Sequence, residues 1–340
     1  ENGWSTLAVS DNPNVSRGAG SDQGFDEFVQ AWSDVDMDDE APGGWWPERP
    51  VLIWERRLAR GFDPERPVFA YLHLLPPHEP YHPGPDHDLF GPEGYKGPIT
   101  GITPDIQAFD RGEFASGTPD QERLESLYDG GLRRGDALLD RALRAWDAMG
   151  RSRPRLLVVI SDHGQAFGEH GRYGHNSSVH REMTHVPVVF HPASLVPGAI
   201  ANSPQALRSL GDLYPMLVHI LGLKLPVGTT WPSRVLEVIE DPALPREELF
   251  IRCGQPRFGR RTANGLWDYQ TGKARAYFDL AADPEAQVDL MSVDPDAWFE
   301  GLAAIRQFLA SPLTSERAAP AEMTEEDRER LRALGYTGGR

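Results

Sequence analysis

The sequence predicts an α/β chain: a mainly parallel sheet flanked by helices, with a small C-terminal α+β subdomain. Three observations carry this expectation. Short runs of strand formers recur, and a long helical period separates two of them. The strand–helix–strand alternation implies parallel pairing under covering helices. After about residue 240 the texture changes to short strands with turn residues between them. The domain expectation is therefore an α/β part over 1–240 and a smaller part with an antiparallel sheet and helices over 241–340.

The elements follow in order. WSTLAVS (4–10) reads as a buried strand and is followed by the turn residues Asp11-Asn12-Pro13-Asn14. PVFAYLHLL (67–75) is a second strand, stopped by Pro76-Pro77, and a Pro/Gly-rich stretch then runs to about Thr118. Loops of that length in compact domains are functional or disordered. Thr118-Pro119-Asp120-Gln121 is a helix start, with a capping hydroxyl, proline in the first turn and glutamine three residues after the cap. From there Leu124, Leu127, Tyr128, Leu132, Leu138, Leu139, Ala142, Trp146 and Met149 recur at helical spacing until Gly150. RLLVVIS (155–161) and VPVVFH (186–191) are further strands, and ALRSL (206–210) is expected to be one more. Asp212 reads as the N-cap of a helix through Leu221. In the C-terminal part LFIRC, ANGLWDYQT and ARAYFDL read as strands, and Asp294 with Pro295 opens a helix that ends near Leu309.

Composition narrows the function. With 34 Lys and Arg against 51 Asp and Glu, the formal net charge is -17, which argues against a general nucleic-acid binder. An anionic small substrate stays open, because a bound metal can reverse the local field. Cys253 is the only cysteine, so neither a disulfide framework nor a cysteine metal cluster is expected. No apolar run approaches the roughly 18 residues that cross a bilayer.

The chemistry-bearing stretch is VVISDHGQAFGEHGRYGH, Val158 to His175. In parallel α/β sheets, ligands sit beyond the carboxyl ends of strands, and Asp162 and His163 fall where the apolar run ends. Adjacent Asp and His at that point can both reach one cation. Gly164, Gly168, Gly171 and Gly174 let the backbone fold tightly around a ligand. Of 11 histidines, five lie between His163 and His185 and four between His73 and His87, the second group straddling another strand end. Aspartate at a strand end also serves as a turn former. It is the second histidine cluster that turns the reading towards a site. His73, His87, His180, His191 and His219 are expected to be surface or packing residues.

These stretches, taken together, resemble the sulfatase family of the alkaline phosphatase superfamily. SDHGQAFGEHGRYGHNSSVHREMTHVPVVFHP resembles its metal-site segment and following strand, and YLHLLPPHEPYHP its histidine-bearing substrate loop. LYDGGLRRGDALLDRALRAWDAM is similar to the helix before the metal strand, and AYFDLAADPEAQVDL to the C-terminal strand and acidic turn. GFDEF (24–28) and LRALGY (331–336) fit the early and late parts of the pattern. The sequence departs from it at Gln165, where glutamate is more usual, at His175, where many sulfatases have lysine, and at His185, where arginine often precedes Val-Pro.

The resemblance implies an alkaline-phosphatase-like fold and hydrolysis of sulfate esters. It implies Asp162 and His163 as ligands of one divalent metal ion, with calcium the family's usual metal and manganese, zinc or magnesium as alternatives. It assigns His78 and His175 to the catalytic machinery, holding sulfate or phosphate oxygens and helping the leaving group depart. Glu169 and His170 would be supporting residues. Substrates implied are small anionic esters on a sulfated sugar, lipid or aryl group, with Tyr81, His82, Tyr95 and Lys96 as candidate contributors from the long loop. The family's nucleophile, formylglycine or a serine or threonine, is expected N-terminal to Trp4 and absent from this chain, which is then not expected to complete the reaction. Thr230-Trp231-Pro232-Ser233-Arg234 and Cys253-Gly254-Gln255-Pro256-Arg257 have the shape of that signature at the wrong place in the order. Two other readings stay open: a phosphoryl relative (a phosphonate or phosphate monoester hydrolase, or a phosphoethanolamine transferase) and a non-catalytic sulfatase-like binding domain. A periplasmic or extracellular location is the family's expectation, and membrane association is undetermined.

Overall fold

A computed structural model describes residues 2–34, 46–150, 152–175, 178–201, 206–226, 231–253, 257–271, 273–311, 324–325 and 327–329. The chain forms two compact units, one over Gly3–Arg153 with the C-terminal stretch from Ala318, the other over Pro154–Arg317.

In the first unit the strands are β1 (Ser5–Ser10), β2 (Glu27–Gln30) and β3 (Val68–Leu72), and the helices are α1 (Arg49–Leu58), α2 (Thr103–Asp110) and α3 (Pro119–Asp147). The sheet order is β2-β1-β3, parallel throughout, with Leu7 opposite Glu27 and Ser5 opposite Val68. β1 is central, and Leu7, Ala8 and Val9 are buried on both faces. Their core neighbours are Val51, Ile53, Trp54 and Leu58 of α1 and Leu138 and Ala142 of α3. Each such aliphatic side chain contributes about 1.5–3 kcal/mol on burial. Trp54 stacks on Trp146 at 6.1 Å and donates its indole N–H to the Ala142 carbonyl. Arg141 grips Glu55 through two hydrogen bonds, fixing α1 against α3.

α3 starts at the expected proline, although Thr118 makes no capping bond and its hydroxyl instead donates to the Ala115 carbonyl. The helix also seats the long loop. A Cβ at Gly130 would lie 2.6 Å from Pro83 and 2.7 Å from the His87 carbonyl oxygen, so only glycine admits the loop at that distance. Neither α1 nor β2 was anticipated, although Val51, Trp54 and Leu58 of α1 recur at helical spacing and are buried.

The second unit contains β4 (Leu157–Ile160), β5 (Ala166–Phe167), β6 (Tyr173–Gly174), α4 (Arg181–Thr184), β7 (Val188–His191), α5 (Gly198–Ala201), α6 (Leu213–Ile220) and α7 (Ser233–Glu240). It continues with β8 (Glu248–Cys253), β9 (Arg257–Thr262), β10 (Gly265–Gln270), β11 (Lys273–Asp279) and α8 (Pro295–Leu309). β4 and β7 pair antiparallel, Leu157 opposite His191, because a hairpin and a one-turn helix join them rather than a crossover helix. The last four strands form the expected antiparallel sheet, in the order β11-β10-β9-β8. Its Phe258 and Trp267 pack on Trp298, Leu302 and Ile305 of α8. Asp294 caps α8, its carboxylate accepting from the Ala297 N–H at 3.1 Å. Such a cap is worth about 1 kcal/mol.

Two readings are corrected. ALRSL is not a strand: Ser209 and Asp212 form a reciprocal capping box around a single tight turn, which consumes the backbone donors a ladder would need. Asp212 precedes α6 but does not cap it, since its carboxylate accepts from Arg246 at 2.6 and 2.8 Å and from Arg234 at 3.3 Å. These guanidinium partners hold the Asp212 carboxyl below the usual range despite its burial. β9, RFGRRT, was also missed, because its arginines hide a strand that pairs on both edges.

Candidate metal and oxyanion site

β4 ends at Ile160 and the chain turns at once. The Ser161 hydroxyl donates to the His163 carbonyl at 2.6 Å, and the Asp162 carboxylate accepts from the His163 N–H at 3.0 Å. This turn throws both side chains to the same side, with His163 Nε2 3.7 Å from Asp162 Oδ1. His163 Nδ1 faces the Gly164 carbonyl at 2.9 Å. A proton on Nδ1 satisfies that carbonyl and places the ring's lone pair on Nε2, beside the carboxylate, as in metal-binding histidines. The Asp162 side chain is two-thirds exposed, so its carboxylate is open to a cation at little desolvation cost.

The loop returns through the β5–β6 hairpin, Ala166 opposite Gly174 and Phe167 opposite Tyr173. Glu169 is spent in the hairpin turn, where it accepts from the Phe167 N–H. The hairpin delivers His175 back to the start of the loop, where its ring stacks on His163 at 4.5 Å with planes 14° apart. His175 is 6% exposed, against one-third for the His163 side chain. Asp162, His163 and His175 are thus brought together, as the sequence suggested. One hard carboxylate, one imidazole at metal-chelating separation and a neighbouring buried imidazole fit a divalent cation next to an anionic group.

His78 belongs to the first unit, on the turn after β3 where its N–H donates to the Leu75 carbonyl at 2.7 Å. Its Nδ1 faces the Glu79 carbonyl at 2.5 Å, the same tautomer-fixing pattern as in His163. Nothing in the neighbouring residues marks Glu79 for burial. It is 7% exposed, and burial pushes its carboxyl up to about 7. A carboxyl raised on folding binds more protons folded than unfolded between pH 4.5 and about 7, so stability falls as pH rises through that window. Glu79→Gln should therefore raise the melting temperature at pH 8, by up to about 3 kcal/mol of stability, and leave it unchanged at pH 4. Equal melting temperatures at pH 8 would show that Glu79 carries no such penalty.

Other candidates are used for structure. Tyr81 is 2% exposed and packs edge-on against Tyr128. The Tyr95 hydroxyl donates to Asp120 at 2.6 Å and accepts from the Ile99 N–H. Neither ring is free to define a substrate. Of the signature-like stretches, Arg234 is bound to Asp212, and Thr230 lies outside the described residues. Burial pushes the Cys253 thiol up, the reverse of what a nucleophile needs, and 254–256 lie outside the described residues, as does LRALGY.

His180 is the packing residue expected. It is 5% exposed, stacked on His170 at 3.7 Å and edge-on to Phe278, and burial, with His170 and Arg257 adding, pushes its imidazole down to about 3. Glu182, which faces His170, was missed: it is one of 51 acidic residues and nothing in its neighbourhood marks it.

Comparison with known proteins identifies the family. The model of the family described as Sulfatase matches residues 2–223. An arylsulfatase of Clostridium perfringens is 22% identical over 289 residues, covering 80% of this chain and 58% of that protein. Human iduronate 2-sulfatase is 26% identical over 181 residues, 40% of this chain and 32% of its own. The chain thus spans about a third to three-fifths of the length of these curated relatives. Among solved structures, a protein in complex with its substrate D-glucosamine-2-N,6-O-disulfate superposes with a TM-score of 0.62 at 14% identity, covering 95% of this chain and 82% of that one. The phosphonate monoester hydrolase of Agrobacterium radiobacter gives 0.56 at 18%, with 91% and 78% covered. These likenesses show the alkaline-phosphatase-like fold. With more than half its length matched by the family model, the chain belongs to the sulfatase family.

Proposed function

We propose that this chain carries the metal- and oxyanion-binding residues of a hydrolase acting on sulfate esters, with a sulfated sugar as the substrate class. The observation that supports it is the placement of the Asp162 carboxylate 3.7 Å from His163 Nε2, with the His175 ring stacked alongside at the exit of β4. Asp162 and His163 would hold one divalent cation, calcium by family habit or manganese by the taste of an imidazole ligand. When bound, the metal polarises the ester and offsets the chain's net charge of -17 where an anion must approach. His175 would donate hydrogen bonds to sulfate oxygens, where charge grows as the leaving group departs, and the family resemblance gives His78 the same role. By family, the enzyme acts in the periplasm or outside the cell. No helix among the described residues is long and apolar enough to cross a membrane.

Titration with Mn²⁺, followed by calorimetry and by electron paramagnetic resonance, tests the core of this reading. The parent chain should bind one Mn²⁺, and Asp162→Ala should weaken binding at least about tenfold, since losing a direct ligand costs no less than losing its supporting partner. Equal Mn²⁺ binding by the two proteins would remove Asp162 from the site and leave the non-catalytic reading in its place.

A further inference from the structure

The loop from Asp162 to His175 is held from outside by one residue at two points. Glu182 of α4 meets the start of the loop with its backbone: a Cβ built on Gly164 would lie 2.0 Å from the Glu182 carbonyl oxygen, and the Gly164 N–H donates to the Met183 carbonyl at 2.9 Å. Gly164 directly follows His163. The same Glu182 meets the loop's reversal with its side chain, Oε1 lying 3.0 Å from His170 Nδ1.

His170 is itself tightly determined. Its Nε2 lies 2.9 Å from the Glu285 carbonyl, so both ring nitrogens face oxygen acceptors. One ring face is covered by His180. The side chains of His170 and Glu182 are 14% and 8% exposed, so water does not compete for the pair. The backbone of His170 is left-handed, φ 50, a conformation that residues with a Cβ adopt only where their contacts over-determine it. A surface histidine in a hairpin turn needs none of this.

We propose that His170 and Glu182 are positioning residues: a latch that clamps the start and the reversal of the 162–175 loop to α4 and so holds Asp162 and His163 at chelating separation. The consequence for metal affinity rests on the metal reading above, whereas the latch itself does not.

Amide hydrogen exchange on the whole chain tests the latch without metal. His170→Ala and Glu182→Ala should speed exchange at Gly164, Gly168, Gly171 and Arg172 tenfold or more, with the β8–β11 amides unchanged. Glu182→Gln keeps an acceptor for Nδ1 and should recover most of the protection. His170→Gly relieves the left-handed backbone without replacing the contact, and should exchange as fast as His170→Ala. Parental exchange in His170→Gly, or faster exchange spread equally over β8–β11, would overturn the latch in favour of backbone strain or general support. In the second arm, Mn²⁺ affinity should fall tenfold or more in His170→Ala and less in Glu182→Gln. Parental affinity in His170→Ala would sever the latch from the metal. Should the parent and Asp162→Ala bind Mn²⁺ equally, the metal reading fails, and the exchange experiment still decides the latch.

Discussion

Gly164→Ala is expected to unfold the site and much of the stability of its unit with it. A Cβ at that position falls 2.0 Å from the Glu182 carbonyl oxygen, 2.9 Å from its carbonyl carbon and 3.2 Å from the Met183 Cα. All three are backbone atoms, which cannot swing away as a long side chain would. Either the Asp162–His163 turn or α4 has to move by more than an ångström, and the Gly164 to Met183 hydrogen bond is lost with it. Overpacking against a rigid wall together with a lost buried hydrogen bond sums to about 2–4 kcal/mol. Gly171→Ala is the control in the same loop. Nothing lies within 4 Å of its Cβ, so only its left-handed φ of +66 opposes the change, at about 1–2 kcal/mol. Urea unfolding should rank the two variants in that order, and Mn²⁺ titration should show the greater loss in Gly164→Ala. Equal stability of the two would mean that the approach of α4 is not tight in solution.

Asp268→Ala should be the most destabilising single change in the C-terminal sheet. Arg257 on β9 and Asp268 on β10 form a double hydrogen-bonded ion pair, with side chains only 10% and 5% exposed. Removing the carboxylate leaves a guanidinium buried without its partner, which costs about 3–5 kcal/mol. The charge cannot be shed, because arginine does not deprotonate in proteins. The pair's own net contribution is much smaller, since desolvation cancels most of its attraction. The double variant Arg257→Met/Asp268→Leu should therefore recover all but about 1–2 kcal/mol of the loss. Trp267 sits beside the pair and stacks on Tyr277 at 4.9 Å, so its fluorescence reports unfolding of this sheet. A loss below 1 kcal/mol in Asp268→Ala, or no recovery in the double variant, would show that the pair is hydrated.

Much of the scaffold follows from short-range patterns. The apolar run before Ser161 placed Asp162 and His163 at a strand end, because a run of β-branched strand formers stops where polar residues and glycine begin. The 3.6-residue period drew α3 over nearly its whole length, and Asp294-Pro295 marked the start of α8 down to the capping bond. The order of family-like stretches put His78 and His175 among the candidates before any distance was known. These features share one property: the residues that define them are neighbours in the chain.

What the sequence by itself determined, then, is most of the longer strands and helices and which loop carries the candidate ligands. Tertiary structure alone decided how that loop is held and which charged residues are structural. Arg246 finds Asp212 across 34 residues, and His170 meets the carbonyl of Glu285 across 115. Glu182 reaches the start and the reversal of the Asp162–His175 loop from a helix of one turn. Such partners are chosen by packing, and a side chain that completes an ion pair or a close backbone approach leaves no period in the sequence around it. Burial of Glu79 is of the same kind, a property of what covers the residue rather than of the residue itself. Local sequence sets the hydrogen-bonding of the backbone, while only the folded chain sets the dielectric and the neighbours that decide what a carboxylate or an imidazole does.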